Sequence, residues 1–286
     1  MRWQDGDRGG NIEDRRGLHP IAAGGIGVGG LVLAAIGYFV FGISPSDTLS
    51  AVNQINGAQA QQEQQVGARG TPGDQDAQFV DVIEQSTTDV WTPIFRQSGR
   101  AYQRPAGMVI YQQATPTGCG EGQSAMGPFY CPQDQKVYLD LSFWQELETR
   151  FGAGGEAARA YVIAHEIGHH VQQLTGAAEQ SRRLGARGAD SGSVRLELQA
   201  DCYAGVWAAH AAEVSGGRVA LDPRDIEDGL AAASAVGDDT LQKQAQGQVV
   251  PDAFTHGSSA QRMRWFRAGV ESGDPAACNT FGAARL

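Results

Sequence analysis

Between residues 21 and 43 the chain carries no charged side chain, and this stretch of 23 residues limits its possible folds more than any other feature. A helix rising 1.5 Å per residue over that length matches a hydrocarbon core about 30 Å thick. The sequence therefore predicts a single transmembrane helix at 21–43. A cleaved signal peptide is the competing reading. The run is longer than a usual signal core and no clean small-x-small site comes after it, with Gly42 and Ser44 keeping the alternative open. Arg15 and Arg16 lie on the near flank, whereas Asp47 and Glu63 precede the first basic residue of the far flank, Arg69. The basic excess places residues 1–20 in the cytoplasm and the remainder of the chain outside it, in a cell membrane. Gly25 and Gly29 form a small-xxx-small pair of the kind through which such helices associate, which leaves homo-oligomerisation open.

Residues 44–76, SPSDTLSAVNQINGAQAQQEQQVGARGTPGDQD, have little branched or aromatic content to bury. Such a segment cannot offset its ordering entropy and reads as a flexible linker. Residues 77–286 are then the extracytoplasmic domain. The net charge of −10 and the scattered placement of the 22 basic residues argue against a nucleic-acid partner, which needs a concentrated cationic surface. All four cysteines, Cys119, Cys131, Cys202 and Cys278, lie beyond the apolar segment. An even number in an exported domain fits two disulfides. Pairing Cys119 with Cys131 brackets a Gly-rich loop, and pairing Cys202 with Cys278 ties the C-terminal tail to a central helix. A structural metal site of four cysteines is the weaker alternative, since the spacings are wide and no Cys-x2-Cys pair is present.

From 79 to 97, Phe79, Val80, Ile83, Val90, Trp91, Ile94 and Phe95 recur at helical spacing and predict a scaffold helix. MVIYQQAT and KVYLDLSF, at 108–115 and 136–143, predict strands of a small antiparallel sheet. Its edge could pair with an extended peptide or be purely structural.

Between Gly155 and Gly176 the run GEAARAYVIAHEIGHHVQQLTG is rich in helix formers and closes on a glycine stop. His165 and His169, four residues apart, project from one face at successive turns. Glu166 is rotated by about 100° from His165, where it can reach a water beside the metal without binding the metal itself. Two imidazoles holding zinc and a neighbouring carboxylate to take a proton are the parts needed for hydrolysis. A second helical run, GSVRLELQADCYAGVWAAH, presents Glu197 and Asp201 four residues apart. Glu197 supplies a third metal ligand, and Asp201 a hydrogen-bond acceptor that fixes the tautomer of His165. Without that role the two acids would line an exposed face, which their apolar neighbours make less consistent.

His170 is rotated off the zinc-facing direction and reads as a packing residue, and His210, thirteen residues beyond Glu197, faces another side of its helix. His19 falls on the opposite side of the expected membrane. In FTHGSSAQRMRWF, Ser258 or Ser259 can cap a helix bearing Met263, Phe266 and Val270, with His256 just before it. His256 then either donates a hydrogen bond to a developing oxyanion or orders the loop. Arg262 points either toward substrate or into solvent.

Taken together, NIEDRRG, CPQDQKVYLDLSF, AYVIAHEIGHHVQ, LELQADCYAGVWA and HGSSAQRMRWF resemble the bacterial neutral zinc metallopeptidases, a membrane-anchored family with a gluzincin-like HExxH plus ExxxD pattern. The resemblance implies Zn2+, a peptide or protein substrate and an α+β fold, predominantly helical with a small sheet. It also implies His165, His169 and Glu197 as metal ligands, Glu166 as the catalytic base and Asp201 as the supporting acid. No HExxHxxGxxH pattern is present from which to recruit a third histidine. The expected activity is that of a membrane-anchored zinc peptidase, with a cell-envelope amidase or a non-catalytic envelope scaffold as alternatives.

Overall fold

The computed structural model describes residues 1–17, 68–70, 73–149 and 152–286. The apolar segment at 21–43 and most of the expected linker lie outside the described residues. Among the described residues no helix is long and apolar enough to cross a membrane. In chain order come strands β1 (Ile12–Asp14) and β2 (Ala68–Gly70), helix α1 (Gln75–Gln97), then strands β3 (Gly107–Tyr111), β4 (Ala114–Thr117), β5 (Gly120–Gln123), β6 (Phe129–Cys131) and β7 (Lys136–Asp140). Beyond β7 the chain is mainly helical, with α2 (Phe143–Thr149), α3 (Glu156–Thr175), α4 (Ala177–Arg182), α5 (Gly192–Val214), α6 (Pro223–Ala235), α7 (Asp238–Gln246) and α8 (Ser259–Ser272), as the amphipathic periodicity requires.

Among the described residues the fold is α+β and mostly helical, with two small sheets. The larger has the order β2-β1-β3-β7-β6, and β4 pairs with β5 as a separate hairpin. An antiparallel sheet was expected, but β3 runs parallel to both β1 and β7, so the larger sheet is mixed. The reason lies in the connection. MVIYQQAT is two strands rather than one, broken where Gln113 takes a left-handed φ of 65°. The chain between β3 and β7 then makes the β4–β5 hairpin and β6 before β7 begins, and these reversals return it in the direction of β3. The disulfides join Cys119 to Cys131 and Cys202 to Cys278.

Of residues 1–20, read from the sequence as a separate cytoplasmic segment, 1–17 are described and pack against the helices. Ile12 is buried, β1 lies between β2 and β3, and Trp3 meets Phe79 of α1 edge to face at 5.1 Å. The expected linker also contributes, since 68–70 form β2 and α1 begins at Gln75, capped by Asp74.

Local chemistry fixes the helices that carry the site. α3 ends on Gly176, whose left-handed φ of 83° lets its N–H return to the Gln172 carbonyl. Ser191 caps α5 by accepting the Val194 N–H, and Ser258 forms a capping box with Gln261 at the start of α8. α5 and α8 cross at van der Waals contact of their backbones. A Cβ placed on Gly205 would lie 2.2 Å from the Phe266 carbonyl oxygen, and one on Gly269 would lie 2.0 Å from that of Cys202. This approach brings Arg262 of α8 over Asp201 of α5.

Candidate metal and catalytic site

His165 and His169 of α3 face Glu197 of α5. His165 Nε2 stands 3.2 Å from Glu197 Oε2, and His169 Nε2 stands 3.5 Å from Glu197 Oε1. One ligand atom from each residue lies within 4.8 Å of the others, so the three form a group that could hold a metal ion. Tetrahedral bonds of about 2.0–2.1 Å separate neighbouring ligand atoms by about 3.3 Å, and the two contacts, which fall on different oxygens of Glu197, are of that size.

The outer nitrogens are already occupied. His165 Nδ1–H donates to Asp201 Oδ1 at 2.8 Å, and His169 Nδ1–H donates to Gln172 Oε1 at 2.9 Å. These bonds leave each Nε2 lone pair directed at the shared point, which is the tautomer a metal needs. The Gln172 amide is fixed in turn, donating to the Leu196 carbonyl at 2.6 Å and to Gln199 Oε1 at 3.1 Å. The donor set of two imidazoles and one carboxylate suits Zn2+ and leaves a fourth position for water or substrate.

Electrostatics favour a cation at the same point. Against burial, the carboxylates of Asp201 and Glu197 hold His165 above its ordinary range, and Glu197 does the same for His169. Glu166, one residue beyond His165, is buried at the wall of the cleft and does not belong to the three-residue group. Burial pushes its carboxyl up, with the facing His165 and His169 opposing the shift.

Asp201 is fully buried and serves several partners. Besides His165, the Tyr161 hydroxyl donates to its Oδ1 at 2.5 Å. Arg262 donates through Nη2 to Oδ1 at 2.8 Å and through Nε to Oδ2 at 2.9 Å. Arg262 therefore borders the cleft without pointing into solvent. Its guanidinium is engaged inside the protein, because the carboxylate that orients His165 would otherwise be a buried charge paired only with imidazole and phenol.

His256 sits before α8, half exposed, and lines the cleft with the three candidate ligands. Its Nδ1 lies 3.3 Å from Asp238 Oδ1, and Asp238 Oδ2 accepts the backbone N–H groups of Thr255, His256 and Gly257 at 2.7, 2.6 and 2.9 Å. The Asp238 hydrogen bond, and after it the charge of Glu197, raises His256 above the ordinary imidazole value. His170 is buried away from the group: Tyr130 O–H donates to its Nδ1 at 3.0 Å, and its Nε2–H donates to the Gln103 carbonyl at 2.6 Å. It thereby fastens edge strand β6 to α3. His210 caps the far end of α8, donating from Nε2 to the Gly273 carbonyl at 2.8 Å.

The site opens into a cleft of about 770 Å³. Met126, Phe129, Phe143, Leu196 and Leu241 give it apolar walls, and Tyr130 of β6 reaches it from the sheet.

Over residues 1–281 the sequence matches the family described as "Putative neutral zinc metallopeptidase". The chain belongs to this family. It is 44% identical over 297 aligned positions to "Uncharacterized protein YpfJ" of Escherichia coli strain K12, with 99% of each chain covered. It is 49% identical over 208 positions to "Uncharacterized protein Mb2605" of Mycobacterium bovis, covering 70% of this chain and 69% of that one. The same figures hold for "Uncharacterized protein Rv2575" of Mycobacterium tuberculosis strain H37Rv. No solved structure matches. For a zinc metallopeptidase family member, the convergence of His165, His169 and Glu197 is the arrangement that fits the metal.

Three partners escaped the sequence reading: Tyr161, Asp238 and the inward role of Arg262. Tyr161 stands one turn before His165 on α3, a spacing that could have flagged it. Asp238 is 18 residues from His256 and Arg262 is 61 from Asp201, separations that no local pattern spans.

Proposed function

We propose that the chain hydrolyses peptide bonds, with His165, His169 and Glu197 holding Zn2+ and Glu166 acting as general base. The observation that carries this reading is the convergence of three ligand atoms whose histidines are each fixed through Nδ1, on the wall of a cleft that also contains Glu166. A Zn2+ ion in that group supplies Lewis acidity, polarising the scissile carbonyl and lowering the pKa of a water. Glu166 accepts the proton from the attacking water and returns it to the leaving amine. His256, oriented by Asp238, donates a hydrogen bond to the oxygen on which negative charge develops. Asp201 keeps His165 in one tautomer, and Arg262 and Tyr161 keep Asp201 in place.

An extended substrate fits beside β6, the edge strand of the larger sheet, where added backbone would continue the ladder and side chains would enter the apolar cleft. Two disulfides support a site outside the cytoplasm. Residues 21–43 supply a membrane attachment on the strength of their composition.

The test uses the full chain loaded with zinc, a peptide library and a chelator control. Glu166→Gln is expected to retain the metal and lose about 100-fold or more in turnover. His165→Ala or Glu197→Ala is expected to lose the metal itself. Undiminished turnover in metal-loaded Glu166→Gln would sink the assignment, and cleavage that survives chelation would sink the metallopeptidase reading altogether.

A further inference from the structure

The sequence expects a single crossing at 21–43, which would hold residues 1–17 and the metal site on opposite sides of a membrane. The packing of residues 1–17 is incompatible with that separation. β1 is an interior strand of the larger sheet, antiparallel to β2 and parallel to β3, with Ile12 opposite Met108 and Asp14 opposite both Ile110 and Ala68. Pairing Asp14 with Ala68 also means that the chain leaving β1 rejoins the sheet beside its point of departure.

The remaining contacts are specific and reach deep into α1. Asp81 and Glu84 of α1 are both fully buried. Gly10 N–H donates to Asp81 Oδ1 at 2.9 Å, and the Asn11 side-chain amide donates to Glu84 Oε1 at 3.2 Å. Gly6 approaches Val82 so closely that a Cβ there would lie 2.4 Å from its Cγ1. Arg2 and Ala220 exchange both backbone hydrogen bonds at 3.0 Å. Removing residues 1–17 would expose these apolar groups, take the Gly10 N–H from Asp81 and leave Glu84 with Arg104 but without the Asn11 amide.

The arginines that carried the expected orientation have structural partners. Arg15 pairs with Glu13 at 2.7 Å and donates to Thr115 Oγ1 at 2.9 Å. Arg16 pairs with Asp14 at 2.6 Å and with Asp74, the N-cap of α1, at 2.5 Å. Their presence before an apolar stretch is accounted for by the fold and need not report cytoplasmic retention.

We infer that residues 1–17 and the metal site occupy the same side of the membrane, so that the chain between residues 17 and 68 makes an even number of crossings, zero included. Residues 44–67 are too polar to supply a second crossing, so zero is the number the sequence permits.

The test reads sidedness in the full-length chain and does not depend on activity. Asp5 and Glu213 are exposed, one in the N-terminal segment and one on α5, and each is replaced singly by cysteine. Both variants are treated with a membrane-impermeant maleimide in spheroplasts and in inverted membrane vesicles, with detergent-opened samples setting full labelling. Thermal unfolding checks that each variant keeps the parent fold. Asp5→Cys and Glu213→Cys are expected to label in the same preparation and to be protected together in the other. Labelling of Asp5→Cys only where Glu213→Cys is protected would overturn the inference, whether or not the protein proves to be a peptidase.

Discussion

Asp201 orients His165 and, with no exposed surface, depends on Arg262 for charge balance. Removing a partner from a buried pair costs about 3–5 kcal/mol, because the remaining charge is uncompensated. Arg262→Ala is therefore expected to lower the unfolding midpoint strongly and to weaken zinc retention by about tenfold to a hundredfold through the misplaced imidazole. Arg262→Lys keeps the charge without the fork and is expected to fall between the two. Metal titration together with thermal unfolding checks both; an Arg262→Ala protein with parental stability and zinc affinity would remove the residue from the support of His165. His256 makes a contrasting case. It is half exposed and outside the metal group, so His256→Ala is expected to keep zinc and stability while losing about tenfold to a thousandfold in turnover. Equal turnover in a metal-loaded His256→Ala protein would leave it as a loop-ordering residue.

The helices hold these side chains because α5 and α8 approach through Gly205 and Gly269. At 2.2 and 2.0 Å the obstructing atoms are backbone oxygens, which cannot rotate away as a flexible side chain could. Gly269→Ala is expected to force the helices apart, costing about 1–3 kcal/mol and displacing Arg262 from Asp201. Calorimetry checks the first effect and zinc affinity the second; a silent substitution would mean that the crossing is more compliant than its geometry implies. Legibility at this scale divides between local and distant chemistry. His165 and His169, and likewise Glu197 and Asp201, were legible because a four-residue spacing on a helix fixes a common face. The helix that follows His256 was legible from its Ser cap and apolar face. The meeting of α5 with α8 was not, since it depends on glycines that mark no period, and the parallel pairing of β3 with β7 was hidden by reversals lying between two ordinary strand patterns.

Across the whole molecule, the sheet's inclusion of residues 1–17 was the least legible feature. β1 is three residues long and displays no alternation to recognise, and its neighbouring arginines matched an orientation rule equally well. The ion pairs that hold this segment give it a pH signature. Glu13 is nearly fully buried and lies 2.7 Å from Arg15 and 2.8 Å from Lys136. Burial alone would raise its carboxyl, but the hydrogen bonds from Lys136 and Arg15 prevail and hold it below the ordinary value. A depressed carboxylate contributes stability that is complete above its unfolded value of about 4.3 and is lost as pH falls through the lower folded value, where the native state must also take up the proton. Asp14 is depressed likewise by Arg16, although burial opposes it, whereas burial raises Asp81 and Glu84, whose contributions change in the opposite direction over their own range. A single unfolding curve against pH therefore sums opposed groups, and a variant is needed to isolate one. Glu13→Gln keeps the shape and one acceptor but removes the charge, so at pH 7 it is expected to cost about 1.5–3 kcal/mol. As pH falls below about 5 the parent protein progressively loses the advantage that the variant never had. The gap in unfolding free energy between the two should accordingly narrow on acidification. A gap that stays constant from pH 7 to about pH 3 would show that Glu13 does not hold β1 through its charge.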